Sequence, residues 1–176
     1  MKILSTSFKD LKIIQGNTFN DNRGFFREIY RNTFFKKKKL IFWSLSGSKK
    51  NVVRGMHLQK KFAQDKFITV IKGEIYDVVV DLRPSSKTYG KYFSIRLSAK
   101  NSKSIFIPAG FAHGFCNLGK ENLVFYGCSN YWSQKNEVGI LWSDADLKIK
   151  WPVKKPIVSA KDQKNISLSK FRGLYL

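Results

Sequence analysis

Asn51-Val-Val-Arg-Gly-Met-His-Leu-Gln59 is the most informative stretch of this 176-residue chain. It is a strand-like apolar run that carries Arg54 and His57, with a glycine between them. The other histidine of the chain, His113, lies in a similar run, Ile107–Phe115. Glycine in a strand often marks a bulge or a close backbone approach, and a half-buried histidine beside a cation can transfer protons near neutral pH. We therefore predict a proton-transfer site here; two core histidines satisfied by backbone partners are the alternative.

Short strand-like segments continue on both sides of this stretch. Lys91–Ser98 alternates apolar and polar residues with the period of two that a half-buried strand shows, and Lys72-Gly73-Glu74 reads as a tight connection between two apolar runs. The other predicted strands are one or two within residues 1–20, Phe25–Tyr30, Leu40–Leu45, Val52–Leu58, Phe67–Ile71, Ile75–Leu82, Ser104–Ile107 and Asn122–Tyr126. The predicted connections are turns at Asp21–Gly24 and Ser46–Lys50, a basic connector at Phe34–Lys39 and a loop at Arg83–Tyr89.

Many short strands at regular spacing, separated by glycine, proline and asparagine turns, predict an all-β sandwich, jelly roll or barrel. No long segment shows helical periodicity before the last third of the chain. The length fits one domain over residues 1–176. Pro156–Asp162 either packs back on the domain or extends from it; its periodicity favours neither.

The composition combines a real core with a strong positive charge. Hydrophobic residues make up 43% of the chain, whereas 33 basic and 12 acidic residues give a net charge of +21. Such a field would attract nucleic acid, a membrane surface or a small phosphorylated molecule. The two cysteines form no CxxC motif, the N-terminus has no apolar signal segment, and no apolar run approaches the length of a membrane span. We therefore expect a soluble cytoplasmic protein with no membrane partner.

The second histidine run carries a recognisable motif. Pro108-x-Gly110-x-x-His113-x-x-x-Asn117 resembles the second motif of the cupin superfamily, whose members are double-stranded β-helix jelly rolls. The first cupin motif normally supplies a His-x-His pair and a glutamate to a metal, and here the matching place has His57 alone. Since a metal site needs three or four convergent ligands, we predict a cupin without a metal.

Five motifs in order then sharpen the resemblance. They are Asp21–Glu28, Val53–Gln59, Asp77–Arg83, Ile107–Phe115 and Val158–Asp162, and together they resemble the dTDP-4-dehydrorhamnose 3,5-epimerase family. The match implies a cupin-type double-stranded β-helix jelly roll with short helices mainly toward the C-terminus. It also implies a nucleotide-linked 4-keto-6-deoxyhexose as substrate and no cofactor.

The resemblance implies four catalytic residues. The C3 and C5 protons of such a sugar are acidic because both flank the C4 ketone, so the enzyme needs a base on one ring face, an acid on the other and a cation near the ketone oxygen. His57 matches the base and Asp162 its carboxylate partner. Tyr126 matches the acid, and Lys66 matches a lysine near the developing enolate.

It also implies three groups of binding residues. Arg54, His113 and Lys161 match positions that hold the diphosphate, and Trp132 and Glu137 match the nucleotide pocket. Arg23, Phe26 and Glu28 match a segment that crosses to the partner subunit and helps to form its nucleotide site, which implies a homodimer.

Each assignment competes with a structural alternative. Asp162 could cap a helix, and Tyr126 and Phe26 could be core aromatics. Arg54 is the hardest to explain structurally, because a buried arginine needs an anionic partner and no acidic residue lies nearby in sequence.

The chain also departs from the family pattern. Phe42 and Ser44 stand where the family usually has Gln and Asn, Asn51 stands for Gly, Gly127 for Lys, and Trp132 for Tyr. The binding set is therefore altered, which leaves open the nucleotide sugar and whether C3, C5 or both are inverted.

Three other functions remain open at this point. The charge suggests a nucleic-acid-binding β domain, although no RNP-like or KH-like motif is present and specific nucleic-acid binding is not expected. A catalytically inactive cupin that binds a nucleotide sugar is the second. An isomerase that moves the keto group between C4 and C3 is the third.

Overall fold

Strands dominate the computed structural model, which describes residues 1–35 and 39–175. The strands are β1 (Lys2–Ser5), β2 (Lys12–Gln15), β3 (Thr18–Asp21), β4 (Gly24–Arg27), β5 (Phe42–Lys49), β6 (Val52–Gln59), β7 (Lys66–Lys72), β8 (Glu74–Asp81), β9 (Tyr92–Ser98), β10 (Lys103–Ile107), β11 (Phe111–Asn117), β12 (Glu121–Cys128), β13 (Glu137–Gly139) and β14 (Ile157–Val158). The helices are α1 (Ala160–Gln163) and α2 (Leu168–Tyr175), with 3-10 turns at Asn32–Phe35 and Gln134–Asn136. This confirms the prediction of an all-β chain with short helices mainly toward the C-terminus.

The strands form two large sheets. One has the order β1-β2-β10-β7-β12-β5, and the other has the order β13-β6-β11-β8-β9 with β14 alongside β6. Every pair is antiparallel except β14 with β6. Consequently β6 and β12, which carry His57 and Tyr126, lie in different sheets.

A hydrophobic core joins the two sheets. Its largest cluster contains residues from both, including Ile68 and Ile105 of the first sheet and Val79 and Leu97 of the second. All four side chains are fully buried, and burial of one such side chain contributes roughly 1.5–3 kcal/mol. This rigid packing fixes the positions of the polar side chains that the strands also carry.

The predicted turn at Ser46–Lys50 is wrong, because β5 continues through it to Lys49. Ser46 and Ser48 lie within this strand and not in a turn. The Ser48 backbone N–H donates to Asn122 Oδ1 at 3.1 Å, and strand pairing with β12 continues along the segment. The turn lies at Lys50 and Asn51, and Asn51 has a positive φ of 63°.

The β3–β4 hairpin stands apart from both sheets, since its two strands pair only with each other among the described residues. Phe19, Phe25 and Phe26 on it are 62%, 69% and 70% exposed. Phe26 is therefore not a core residue. The predicted strand Phe25–Tyr30 begins at Gly24 and ends earlier, at Arg27.

Beyond this hairpin, the predicted basic connector Phe34–Lys39 begins within the 3-10 turn at Asn32–Phe35, and its residues 36–38 lie outside the described residues.

The C-terminal segment packs back on the domain. Ile157 and Val158 pair in parallel with Val52 and Val53 at the start of β6, and α1 follows directly. This places Asp162 beside Gly55 and His57 of β6. Among the described helices, none has both the length and the apolar character that crossing a membrane requires.

Candidate active site

A cavity of about 580 Å³ opens between the two sheets and α1. Six of the predicted site residues line it, namely Arg54, His57, His113, Tyr126, Lys161 and Asp162. A second pocket of about 310 Å³ is lined by Phe42, Ser44, Gln64, Lys66, Tyr126, Cys128 and Trp132. Because Tyr126 lines both, the two spaces adjoin at its side chain.

Two glycines bring β6 and β11 into unusually close contact. Gly55 has a φ of +128°, and a Cβ on it would lie 2.5 Å from the Gly114 Cα. The register between the two strands shifts after His113, which lies directly opposite His57. The prediction that glycine marks a close approach here is confirmed, and the irregularity sets both histidine side chains along one cavity.

His57 and Asp162 form a short hydrogen-bonded pair. His57 Nε2 lies 2.6 Å from Asp162 Oδ1, and Asp162 Oδ2 accepts from the Gly55 backbone N–H at 3.2 Å. Ser159 is the N-cap of α1, with its Oγ accepting from the Asp162 backbone N–H. The alternative that Asp162 caps a helix is therefore wrong, since its carboxylate is committed to β6.

The surroundings keep Asp162 ionised. Burial acts to raise the pKa of this carboxyl, but the hydrogen bond and charge of His57, the Gly55 N–H and the charge of Lys161 lower the pKa overall. An ionised carboxylate at this distance orients the imidazole ring.

His113 is buried and also has a carboxylate partner. Its Nε2 lies 2.7 Å from Asp77 Oδ2, and both side chains are at most 5% exposed. Its ring meets the Tyr126 ring edge-on, with 6.5 Å between the centroids. The alternative that backbone partners satisfy both histidines is therefore wrong.

Tyr126 is half-buried at the junction of the two spaces and packs against the main core cluster. Its Oη lies 2.9 Å from Ser46 Oγ. Burial raises the pKa of this phenol, with Ser46 and Arg54 acting in the opposite direction. Tyr126 therefore carries its proton at neutral pH and is available as a donor.

Lys66 begins β7 and faces the smaller pocket. Its Nζ lies 3.5 Å from the backbone carbonyl oxygen of His57, a residue that lines the larger cavity. Burial lowers the pKa of this ammonium, although the charges of Cys128, Glu137 and Asp77 act to raise it.

Trp132, Glu137 and Lys161 form one hydrogen-bonded chain at the rim. Trp132 Nε1 donates to Glu137 Oε2 at 2.6 Å, and Lys161 forms an ion pair with the same carboxylate. Burial acts to raise the pKa of Glu137, but these two partners lower it overall. The structure thus brings together three residues predicted to bind the nucleotide or the diphosphate.

Arg54 is exposed, so the argument that treated it as a buried arginine in need of an anionic partner does not apply. Its Nε donates to Ser48 Oγ and its Nη2 to the Gly47 carbonyl oxygen, both at 3.0 Å. These contacts leave its charge uncompensated toward the cavity, because both acceptors are neutral oxygens.

The structure does not bring Arg23, Phe26 and Glu28 to the cavity of their own chain. Arg23 pairs with Asp21 at 2.7 Å on the exposed hairpin, and Glu28 pairs with Arg31 at 2.6 Å.

One departure from the family pattern, Gly127 in place of a lysine, is explained by its neighbour Trp43. Gly127 lies opposite Trp43 in the β5–β12 register, and a Cβ on it would lie 2.7 Å from Trp43 Cζ3. The indole therefore fills the space beside the missing side chain, and it stacks on Phe125 with 5.1 Å between the ring centroids. Phe42 and Ser44, by contrast, face the smaller pocket directly.

Sequence reasoning missed two partners, Asp77 for His113 and Ser46 for Tyr126. Asp77 carried a usable signal, because an acidic residue inside a buried valine-rich strand needs a partner. Ser46 carried no such signal, since it was assigned to a turn.

Within residues 1–35 and 39–175, no three His, Cys, Asp or Glu side chains cluster in a way that could hold a metal ion. The sequence prediction that the site needs neither a metal nor a cofactor stays a prediction.

A two-sheet jelly roll with a His–Asp pair and a protonated tyrosine on one cavity has the groups that general acid–base chemistry needs. Residues 5–170 match the profile of the family described as dTDP-4-dehydrorhamnose 3,5-epimerase. The relative of that name from Shigella flexneri is 41% identical over 168 residues, covering 92% of this chain and 93% of its own.

Solved structures agree. The dTDP-4-dehydrorhamnose 3,5-epimerase of Bacillus anthracis, solved with TDP and PPi bound, superposes with a TM-score of 0.91 at 39% identity, over 95% of this chain and 99% of its own. A 4-keto-6-deoxy sugar epimerase from Streptomyces spheroides reaches a TM-score of 0.94 at 31% identity, over 98% and 90% of the two chains. This chain belongs to the dTDP-4-dehydrorhamnose 3,5-epimerase family, and the predictions of a cupin-type fold and an isomerase activity are confirmed.

Proposed function

We propose that this protein inverts C3 and C5 of dTDP-4-dehydro-6-deoxyglucose to give dTDP-4-dehydrorhamnose, with His57 as the base and Tyr126 as the acid. One observation carries the mechanism: the two side chains line the same cavity from strands of different sheets. A sugar ring held between the sheets would present one face to each of them, and inversion requires removal and delivery of a proton on opposite faces.

The proton transfers follow from this arrangement. Asp162 holds Nε2 of His57, so Nδ1 is the nitrogen left to accept a proton from the carbon next to the ketone. The electron pair of the broken C–H bond moves onto the carbonyl oxygen as an enolate, which the Lys66 ammonium would stabilise from the adjoining smaller pocket. Tyr126 then delivers its proton to the same carbon from the other face, and a new C–H bond forms.

The rim residues supply the charge and stacking surface that a nucleotide diphosphate needs. Arg54 and Lys161 are cations that line the cavity, and cations of this kind pair well with diphosphate oxygens. Trp132 is 51% exposed beside the smaller pocket, where its indole can stack on a base. The Bacillus anthracis relative, solved with TDP and PPi bound, supports this assignment.

Incubation of the wild-type protein with dTDP-4-dehydro-6-deoxyglucose in deuterium oxide tests the function. We expect NMR to show deuterium at both C3 and C5, with the L-configured product formed. A matched incubation without protein reports spontaneous exchange. Absence of enzyme-dependent deuterium at both carbons would contradict the proposed activity.

A single-site epimerase, acting at C3 or C5 alone or on another nucleotide-linked keto sugar, is the second candidate. Phe42 and Ser44 favour it, because they line the pocket beside Tyr126 with fewer hydrogen-bonding groups than the Gln and Asn usual in the family. Deuterium at one carbon alone in the same experiment would establish this alternative.

We also propose that the protein is a homodimer in which the β3–β4 hairpin completes the partner's nucleotide site. Phe19 and Phe26 pair across the hairpin, and both are exposed, which gives an apolar surface that water solvates poorly. Arg23 and Phe26 on it have no place in the cavity of their own chain, which fits a role in a second copy.

Subunit mixing tests the crossing hairpin. His57→Ala and the double variant Arg23→Ala/Phe26→Ala should each be inactive alone, yet their mixture should recover about a quarter of the wild-type activity, since half the dimers are mixed and carry one intact site. A mixture of His57→Ala with Asp162→Ala is the matched control and should stay inactive, because each substitution disables the site of its own chain and a mixed dimer then has no intact site. A monomeric mass in sedimentation, or no recovery, would contradict the proposal.

The remaining sequence predictions keep that status. They are the cytoplasmic location, a single domain over residues 1–176, and the absence of specific nucleic-acid binding. The charge of +21 nevertheless suits an enzyme with an anionic substrate, because a positive field raises the rate of encounter.

A further inference from the structure

The Tyr126 hydroxyl contacts Ser46, a residue that has no role in the proposed proton transfers. Ser46 Oγ lies 2.9 Å from Tyr126 Oη, across the β5–β12 pair. Ser46 is half-buried, and its strand neighbours Gly47 and Ser48 accept hydrogen bonds from Arg54. This part of β5 is therefore held firmly beside the phenol.

We propose that Ser46 is the positioning residue of the acid, donating its hydroxyl proton to Tyr126 Oη so that the phenolic proton is directed at the substrate. The inference rests on the proposed function. A phenol has a single proton, and if Tyr126 gave it to Ser46 none would be aimed at the sugar. With Ser46 as donor, the phenolic proton is left for the ring carbon.

The same contact gains strength as the reaction proceeds. When the O–H bond of Tyr126 breaks and the new C–H bond forms, Tyr126 becomes a phenolate that still accepts the Ser46 hydrogen bond. Hydrogen bonds to a charged acceptor are stronger than those to a neutral one, so the interaction favours the transition state over the ground state. Arg54 donates hydrogen bonds to Gly47 and Ser48 of β5. Its positive charge also stabilises the phenolate form of Tyr126.

Ser46 also lies on the path by which the acid is restored. After proton delivery, the Ser46 hydroxyl proton can pass to the phenolate oxygen while a water molecule protonates Ser46. The His57 imidazolium releases its proton to water, so the cycle balances with no other reactant.

Ser46→Ala tests the role in the deuterium exchange assay. We expect inversion to fall about 10- to 100-fold, whereas deuterium uptake at the carbon attacked by His57 persists, because the base still forms the enolate and returns a deuteron to the same face. The ratio of exchange to inversion should therefore rise. Ser46→Thr, which keeps a hydroxyl at the same place, should bring this ratio back toward the wild-type value.

A matched control exists outside the cavity. Tyr76 Oη donates to Ser94 Oγ at 2.7 Å on β8 and β9, so Ser94→Ala removes the same kind of Tyr–Ser contact and should leave the ratio unchanged. Equal loss of exchange and inversion in Ser46→Ala, or no loss of either, would overturn the role of Ser46 alone. Failure of the wild-type protein to exchange protons at all would overturn the proposed function, and this proposal with it.

Discussion

Replacement of His57 by alanine should remove both proton exchange and inversion, at C3 and at C5 alike. His57 is the proposed base for each carbon, so no enolate forms without it. General acid–base groups contribute about 10²- to 10⁴-fold to rate, and we expect a loss of about 10³-fold or more. The measurement is deuterium incorporation at the two carbons by NMR.

A second variant checks that the loss arises from chemistry. Asp162→Asn keeps the imidazole but replaces the ionised carboxylate 2.6 Å from Nε2, so we expect a large but smaller loss of exchange. The Asp162 side chain is 5% exposed, so His57→Ala leaves a buried carboxylate without its imidazole partner and should lower the unfolding temperature. Circular dichroism at the assay temperature shows whether the variant is folded when its activity is measured. Turnover within about tenfold of wild type in His57→Ala would contradict the base assignment.

Tyr126→Phe should separate the two halves of the reaction. The substitution removes only the hydroxyl that would deliver the proton, and the ring packing against His113 is kept. Inversion should fall about 10²- to 10⁴-fold, whereas deuterium should still enter the substrate without inversion. Product configuration and deuterium content in the same NMR sample measure both quantities.

Tyr76→Phe is the matched control for Tyr126→Phe. It also removes a phenol hydroxyl bonded to a serine, on β8 and away from the cavity, and should leave both exchange and inversion near wild type. Parallel loss of exchange and inversion in Tyr126→Phe would indicate that Tyr126 shapes the cavity instead of donating the proton.

Most of the strands were predictable, because each one shows a local pattern of apolar and polar residues. Lys91–Ser98 alternates in sequence, and β9 occupies nearly the same residues. The error at Ser46–Lys50 has a physical cause: serine is a turn residue by propensity, yet a strand accepts it when a neighbouring element supplies a hydrogen-bonding partner. That partner lies 80 residues away for Ser46, beyond the reach of any local pattern.

The site was predictable only where motifs named its members. His57 and Asp162 lie 105 residues apart, and nothing in their spacing indicates contact; the resemblance paired them, and the structure brings them together. The partnership of His113 with Asp77 depends on the register of β11 with β8, which sequence alone does not define. The proposed contribution of a partner's hairpin depends on a second copy, so the geometry of one chain could not test it.

The Trp43–Gly127 contact has a consequence for how the family's sequences can diverge. Since any Cβ at position 127 would meet the Trp43 ring at 2.7–2.8 Å, a lysine could enter there only after position 43 had become smaller. Equally, loss of the indole alone would leave a void beside a bare backbone. We therefore expect coupling between the two positions, so that changing both should alter stability by an amount different from the sum of the two single changes.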